Sequence, residues 1–241
     1  MAGKSTRQKE MEAAEYRLFA AIRTGDTETV RALLAADPAA VNAIAPKRPL
    51  DTQGMSPLQV AFCTGYHREI VVLLLDAGAD VNYRPDRKWT DEGRPVLFDA
   101  VDAAIWNARR YAWDGTDARP LRLEWKHTEA EADAAFALLC RMLDAGADVA
   151  QTDHYGRNVL MEAVGEANRL CPVQNAETGT DYPGRPITPE MSADFRRIFK
   201  MLIAAGADRS NVSAYSHMSI REHFAMESVW RICGDLFDDV K

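Results

Sequence analysis

Cysteine is scarce in this chain of 241 residues. There are four, Cys63, Cys140, Cys171 and Cys233, far apart and never in a Cys-x-x-Cys pair. Such spacing offers no zinc-ligand pattern and reads as reduced thiols in a cytosolic protein. Long apolar runs are missing too. No stretch approaches the roughly 18 apolar residues of a membrane span, and the opening residues Met1 to Glu12 are polar and charged, without the apolar core of a secretory signal. A cytoplasmic location without membrane contact is the expectation. Nor does positive charge dominate: 29 Lys and Arg stand against 36 Asp and Glu, a net charge of -7. That balance weighs against nucleic acid as a partner, because phosphate binding needs clustered cations.

Legible chemistry is equally sparse. The histidines are His67, His127, His154, His217 and His223; none forms His-x-x-x-His, and none stands beside a cysteine at ligand spacing. His67 reads as a surface residue at the start of a helix, and His154 and His217 as loop residues. Gly3-Lys4-Ser5 lacks the first glycine and the preceding strand of a phosphate loop. The acidic tail Asp235, Asp238 and Asp239 reads as a solvated terminus. No catalytic residue, metal site or cofactor is assigned, and the chain is not expected to be an enzyme.

What the sequence does contain is repetition. The phrase Ala-Gly-Ala-Asp occurs at 77–80, 145–148 and 205–208, each time after an apolar run: Ile70 to Leu75, Ala137 to Leu143 and Ile198 to Ile203. An apolar run of that kind is a helix packed on both sides, and the glycine just past it takes the left-handed conformation that ends a helix cheaply. A second signature precedes the first copy. In residues 51–65, Gly54 suits a tight turn, Ser56 can cap a helix, Pro57 fits its first position, Ala61 allows close helix approach and Gly65 ends it.

Taken together, residues 51–82 resemble one complete ankyrin repeat. The resemblance implies a β-turn finger followed by two antiparallel helices, and for the chain an all-α, ankyrin-repeat α-solenoid of about four to five helix pairs. On this reading residues 1–241 form a single domain: an N-terminal extension (1–13), an N-cap repeat (14–42), repeat 2 (51–82), repeat 3 (91–149), repeat 4 (153–208) and a C-cap (213–241). In repeat 4, Asn158 and Val159 replace the usual Thr-Pro. In the C-cap, His223 stands where a small alanine is expected, which leaves its packing open.

The glycines of the repeated phrase lie 68 and 60 residues apart, against about 33 for one ankyrin unit. Either a degenerate repeat hides in each gap or repeats 3 and 4 carry insertions, and insertions are preferred. One helix is expected from about Val96 to Trp113, a turn-rich link over 114–120, and a second helix opening with a capping box, Thr128 to Glu131. The next gap follows the same plan: a helix from Val159 to about Leu170, a loop rich in Pro, Gly and Thr, and a helix from Thr188-Pro189 to Ala205. The two extensions are expected to form one protruding lobe.

Family use implies that finger loops and first helices bind another protein. Carried over by position, the exposed finger residues are Thr52, Gln53 and Met55; Arg94; and His154, Tyr155 and Arg157. The finger over 83–94 adds Arg87, Lys88 and Trp89, a basic, aromatic patch suited to an acidic partner surface. Trp113 is a further candidate contact beside the repeat-3 extension. Trp106 and Trp125 are read as packing that extension's private core, whereas Trp89 and Tyr155 are read as binding residues, since Trp, Tyr and Arg dominate interface energetics. The high Ala and Arg usage looks bacterial. The partner classes drawn from the resemblance are a toxin neutralised by a cytoplasmic immunity protein, or a neighbouring enzyme held by a regulator or chaperone. An enzyme with its site in the inserted lobe is the weaker alternative. A single copy is favoured over a homodimer.

Overall fold

The computed structural model describes residues 6–46, 52–86, 93–113, 123–173 and 186–238. It is mostly helical, with one two-stranded hairpin. The chain packs as two compact units: residues 1–99 with 145–147, and residues 100–144 with 148–241.

In the first unit, α1 (Thr6–Thr24) and α2 (Thr27–Ala36) form an antiparallel pair. Gly25 makes the turn at φ +73°, and the Asp26 side chain accepts from Thr29 N at 3.0 Å to start α2. Leu18, Ile22, Val30 and Leu34 are buried along the shared face. α3 (Pro57–Cys63) and α4 (Arg68–Asp76) form the next pair. α3 opens as its sequence predicts: Ser56 and Gln59 make a reciprocal capping box, with Pro57 in the first turn. The Gln59 amide also reaches across to the Arg94 carbonyl at 3.2 Å and to Asp99 Oδ2 at 3.0 Å. One residue therefore caps the start of α3 and holds the segment around Arg94 and Asp99.

The repeated phrase behaves as expected. After α4, Gly78 sits at φ +83°, and Ala79 N donates to Leu74 O at 3.0 Å. Gly146 and Gly206 adopt the same left-handed conformation, at +90° and +99°. Asparagines tie one such turn to another. Asn42 receives the Asp80 amide at 2.8 Å, and Asn82 donates to the Gly146 carbonyl at 2.9 Å.

The second unit differs from expectation at its beginning. α5 (Val96–Trp106), which starts in the first unit, ends seven residues short of the expected Trp113. Asn107 folds its amide back onto the Ala103 carbonyl at 2.7 Å, and the Arg109 backbone N–H leaves for Asp194 at 3.0 Å. With its terminal groups satisfied in this way, the helix stops. Residues Arg110–Trp113 (β1) then pair antiparallel with Leu123–Lys126 (β2), placing Tyr111 opposite Trp125 and Arg110 opposite Lys126. The helix expected to run to Trp113 is corrected here, within a fold that is mostly helical as expected. The segments have strand periodicity, with Tyr111 and Trp113 two apart in β1 and Glu124 and Lys126 two apart in β2, and it outweighs helix propensity in a segment rich in Tyr and Trp.

The remaining helices start where their caps predict. α6 (Glu129–Asp144) opens with Thr128 and Glu131 bonded reciprocally. α7 (Val159–Leu170) is capped by Asn158 and α8 (Pro189–Ala204) by Thr188. α7 and α8 pair through a buried layer that includes Leu160, Val164, Phe195 and Phe199. α6 lies along α8, with Cys140 Sγ 3.3 Å from Met201 Sδ and the Arg197 guanidinium 4.7 Å over the Phe136 ring.

Beneath the hairpin is a buried ion cluster. The Asp194 carboxylate, 2% exposed, takes both Arg109 side-chain donors and the Arg109 N–H at 3.0 Å, and Arg197 at 3.2 Å. Asp133 completes it on the far side of Arg197.

Two short helices, α9 (Ile220–Phe224) and α10 (Trp230–Cys233), close the unit. Arginines cap the last carbonyls: Arg196 bonds Ile232 O, Arg209 bonds Leu236 O and Arg221 bonds Phe237 O. His223 fits in place of alanine by bonding Ser216 Oγ at 2.7 Å.

Candidate protein-binding surface

A candidate surface is built on two loops of the second unit, residues 153–157 and 213–217. Asp153 shapes the first. Its buried carboxylate accepts the backbone N–H groups of Tyr155 and Arg157 at 2.9 Å and the Arg157 side chain at 2.7 Å. The loop is thereby fixed by one residue, and Gly156 turns it at φ +72°. Ser213 plays the corresponding part in the second loop, its hydroxyl oxygen accepting from Tyr215 N at 3.2 Å and Ser216 N at 3.3 Å.

The loops are bonded to each other. Ala214 N donates to Tyr155 O at 2.8 Å, Asn211 donates to Gly156 O at 3.1 Å, and Asn158 donates to Asp208 O at 2.7 Å. A β-carbon on Gly156 would stand 3.0 Å from Ala214, so the close approach needs glycine. On this frame Tyr155 and Tyr215 meet edge to face at 5.5 Å, with Arg157 stacked 5.6 Å over Tyr155. Tyr215 is 78% exposed and Val212 and Met218 are exposed beside it. Arg157 is itself held by Asp153 and lies 3.5 Å from Glu162. The surface is aromatic, cation-stacked and rigid, the make-up of an interface anchor.

The sequence-predicted residues distribute unevenly. His154, Tyr155 and Arg157 are half-buried together on the 153–157 loop. Thr52 is corrected: it is buried at 2% exposure, with its hydroxyl 3.5 Å from Arg23, because the loop folds over the end of α1. It lines, with Tyr16, Phe19, Ala20, Arg23, Thr24 and Pro46, an open groove of about 340 Å³. Gln53 and Met55 are half-buried, and Met55 places its sulfur 3.7 Å from Cys63. Arg94 lies back over Phe98 and 4.0 Å from Asp99. Arg87, Lys88 and Trp89 lie outside the described residues. Trp113 contributes its backbone to β1, and its side chain lies outside them as well.

The reading of Trp106 and Trp125 as a private core is corrected. Both are exposed, at 42% and 40%: Trp106 stands at the end of α5, and Trp125 lies on a two-stranded ribbon that has no second layer to cover it. Trp106 donates its indole N–H to Glu166 at 2.9 Å. His67 is half-buried rather than a surface residue, its ring seated against Gly25 and Gly65 with Nε2 3.3 Å from Arg23 O. Tyr215 was missed by sequence reasoning. The signal was available, since Ser213-Ala-Tyr215 repeats the spacing of Asp153-His-Tyr155, with a turn-forming oxygen two residues before the tyrosine.

Among the described residues no three His, Cys, Asp or Glu side chains come together as a metal site, and no helix is long and apolar enough to cross a membrane. A search of curated proteins finds no match to the chain. The family model that matches is that of ankyrin repeats (3 copies), over residues 4–85. With its paired helices and glycine-terminated turns, the chain thus carries ankyrin repeats in residues 4–85, a motif associated with protein–protein interaction.

Proposed function

We propose that this chain is a non-catalytic module that binds and modulates one partner protein, with Tyr155, Arg157 and Tyr215 as its anchor. The observation that supports it most is the edge-to-face pair of half-buried Tyr155 and exposed Tyr215 on two loops locked by backbone bonds. Rigid aromatic side chains lose little conformational entropy on binding, and a fixed loop loses less again. On this reading residues 91–149 and 153–208 are further repeats with insertions. The left-handed turns at Gly146 and Gly206, and the bond from Asn82 to Gly146, support that extension.

The finer form of the proposal is neutralisation: a cytoplasmic protein that blocks a toxin or holds an enzyme in check. It requires a stoichiometric complex in which the partner's activity is lost. Capture from native cells with the wild type and with a Tyr155→Ala, Tyr215→Ala variant tests the surface. Loss of one specific protein is expected, with affinity for it about a hundredfold lower or more, as for truncated hot spots. An unchanged set of captured proteins refutes the loop surface, and a captured partner that keeps full activity refutes neutralisation.

A further inference from the structure

Each strand of the two-stranded hairpin has one edge away from the other, and on β2 the charged side chains are exposed. Arg110 on β1 is buried against the body of the unit, donating to the Trp106 and Ala108 carbonyls. On β2, Trp125 is 40% exposed, and the Glu124 and Lys126 side chains are 48% and 38% exposed. Among the described residues no backbone group outside the hairpin bonds the free edge of β2. Among the described residues, then, the strand edge reading Glu124-Trp125-Lys126 is open. Open edges are templates for pairing, and proteins commonly blunt them with charged side chains, lysine above all, with proline, or by keeping the strand short. This edge is short and charged, but its two charges are of opposite sign, so they repel only a strand that does not match their order.

We propose that β2 pairs antiparallel with β2 of a second copy of this chain, about a two-fold axis at Trp125. The order of charges is what selects that occupant. An antiparallel strand centred on Trp125 sets Glu124 opposite the second copy's Lys126, and Lys126 opposite its Glu124, so both pairs are attractive. The match is isologous, as a two-fold interface requires. Within one copy, Lys126 faces Arg110 across the hairpin, a like-charge pair that an incoming carboxylate relieves. Its internal partner, Glu124, is exposed and two residues away along the same strand. Such exposed pairs contribute little, so exchanging it for a directly opposed partner is not opposed by a strong existing bond.

The other face of the strand agrees. Tyr111 and Trp125 already meet edge to face at 4.8 Å. Two-fold pairing extends them into a row of four rings and turns an isolated ribbon into a four-stranded sheet, which is a stabler unit. A strand of four residues buries a small area, so the association is weak and reversible. This departs from the single copy expected from the sequence, and it is independent of the Tyr155–Tyr215 surface.

Sedimentation equilibrium from about 1 to about 500 μM tests it, at low and at high salt. The wild type is expected to show a monomer–dimer equilibrium that weakens with salt. Glu124→Lys alone and Lys126→Glu alone are each expected to weaken self-association roughly tenfold or more, since two attractive cross-strand pairs become repulsive. Mixing the two variants is expected to restore dimers, because a Lys-Trp-Lys edge then faces a Glu-Trp-Glu edge. That rescue is something loss of folding cannot imitate, and circular dichroism of each variant reports its fold. A wild type that stays monomeric throughout overturns the proposal and leaves the edge for an extended segment of a foreign protein. A dimer whose strength ignores both swaps, or swaps that do not rescue each other, overturns it equally.

Discussion

Truncating Asp194 is the sharpest probe of how the second unit holds its hairpin. The carboxylate is 2% exposed and receives Arg109 through two side-chain nitrogens and its backbone N–H, with Arg197 alongside. Asp194→Ala removes the buried carboxylate that both guanidinium groups share. Breaking a buried pair from one side costs about 3–5 kcal/mol, because the partner is left uncompensated. Arg109 and Arg197 keep 17% and 29% side-chain exposure, and Glu129 and Asp133 stand near them, so water and a second carboxylate soften the loss. The expected value is therefore at the lower end, about 3 kcal/mol. With a urea slope of about 2 kcal/mol per molar, the midpoint of the second unit's transition falls by about 1.5 M.

Urea titration followed by circular dichroism reads that shift. Asp194→Asn, which keeps one acceptor, is expected to lose less than Asp194→Ala. Arg109→Leu combined with Asp194→Leu is expected to lose less than the two single changes summed, since apolar replacement of a whole buried pair leaves no orphaned charge. A midpoint drop under about 0.5 M for Asp194→Ala, or strict additivity of the double variant, would refute the view that this cluster fastens the hairpin base.

Two further predictions test the first unit and the thiols. Gly25→Ala puts a β-carbon 2.8 Å from His67 Nδ1 at φ +73° and is expected to destabilise by about 1–3 kcal/mol in thermal melts; in a His67→Ala background the loss should shrink, and equal losses in both backgrounds would rule out the ring contact. In the native protein at mildly alkaline pH, a thiol reagent is expected to label exposed Cys63 and to leave buried Cys171 and Cys233 untouched until unfolding. Burial pushes the Cys233 thiol up to about 12, with Asp235 adding to it. Its neutral form is the one the fold favours, so the stability it contributes is present below the unfolded thiol's range and is lost only as pH climbs towards that value. Rapid native labelling of Cys233 would contradict the burial.

Much of the helical framework was legible from local chemistry. The caps at Ser56, Thr128, Asn158 and Thr188, and the left-handed glycines at 78, 146 and 206, act within one turn of their own positions. Such signals need no tertiary context, which is why the helices they bound start and stop as read. The candidate surface was legible in part, since the ankyrin resemblance named Tyr155 and Arg157, and the structure sets both on the 153–157 loop.

What needed tertiary structure is what depends on distant residues. Thr52 is buried because α1, some thirty positions earlier in the chain, lies against its loop. α5 stops at Trp106 because Arg109 is drawn to Asp194, 85 residues away, and the strand that follows pairs across a loop. Tyr215 comes beside Tyr155 only because Tyr155 O receives the amide of Ala214. Sequence by itself determined the repeat, its helix ends and its turn chemistry, because those are set by residues within hydrogen-bonding reach along the chain. Packing alone decided which aromatic rings face solvent and which loops join, because burial is a property of the neighbours that folding supplies.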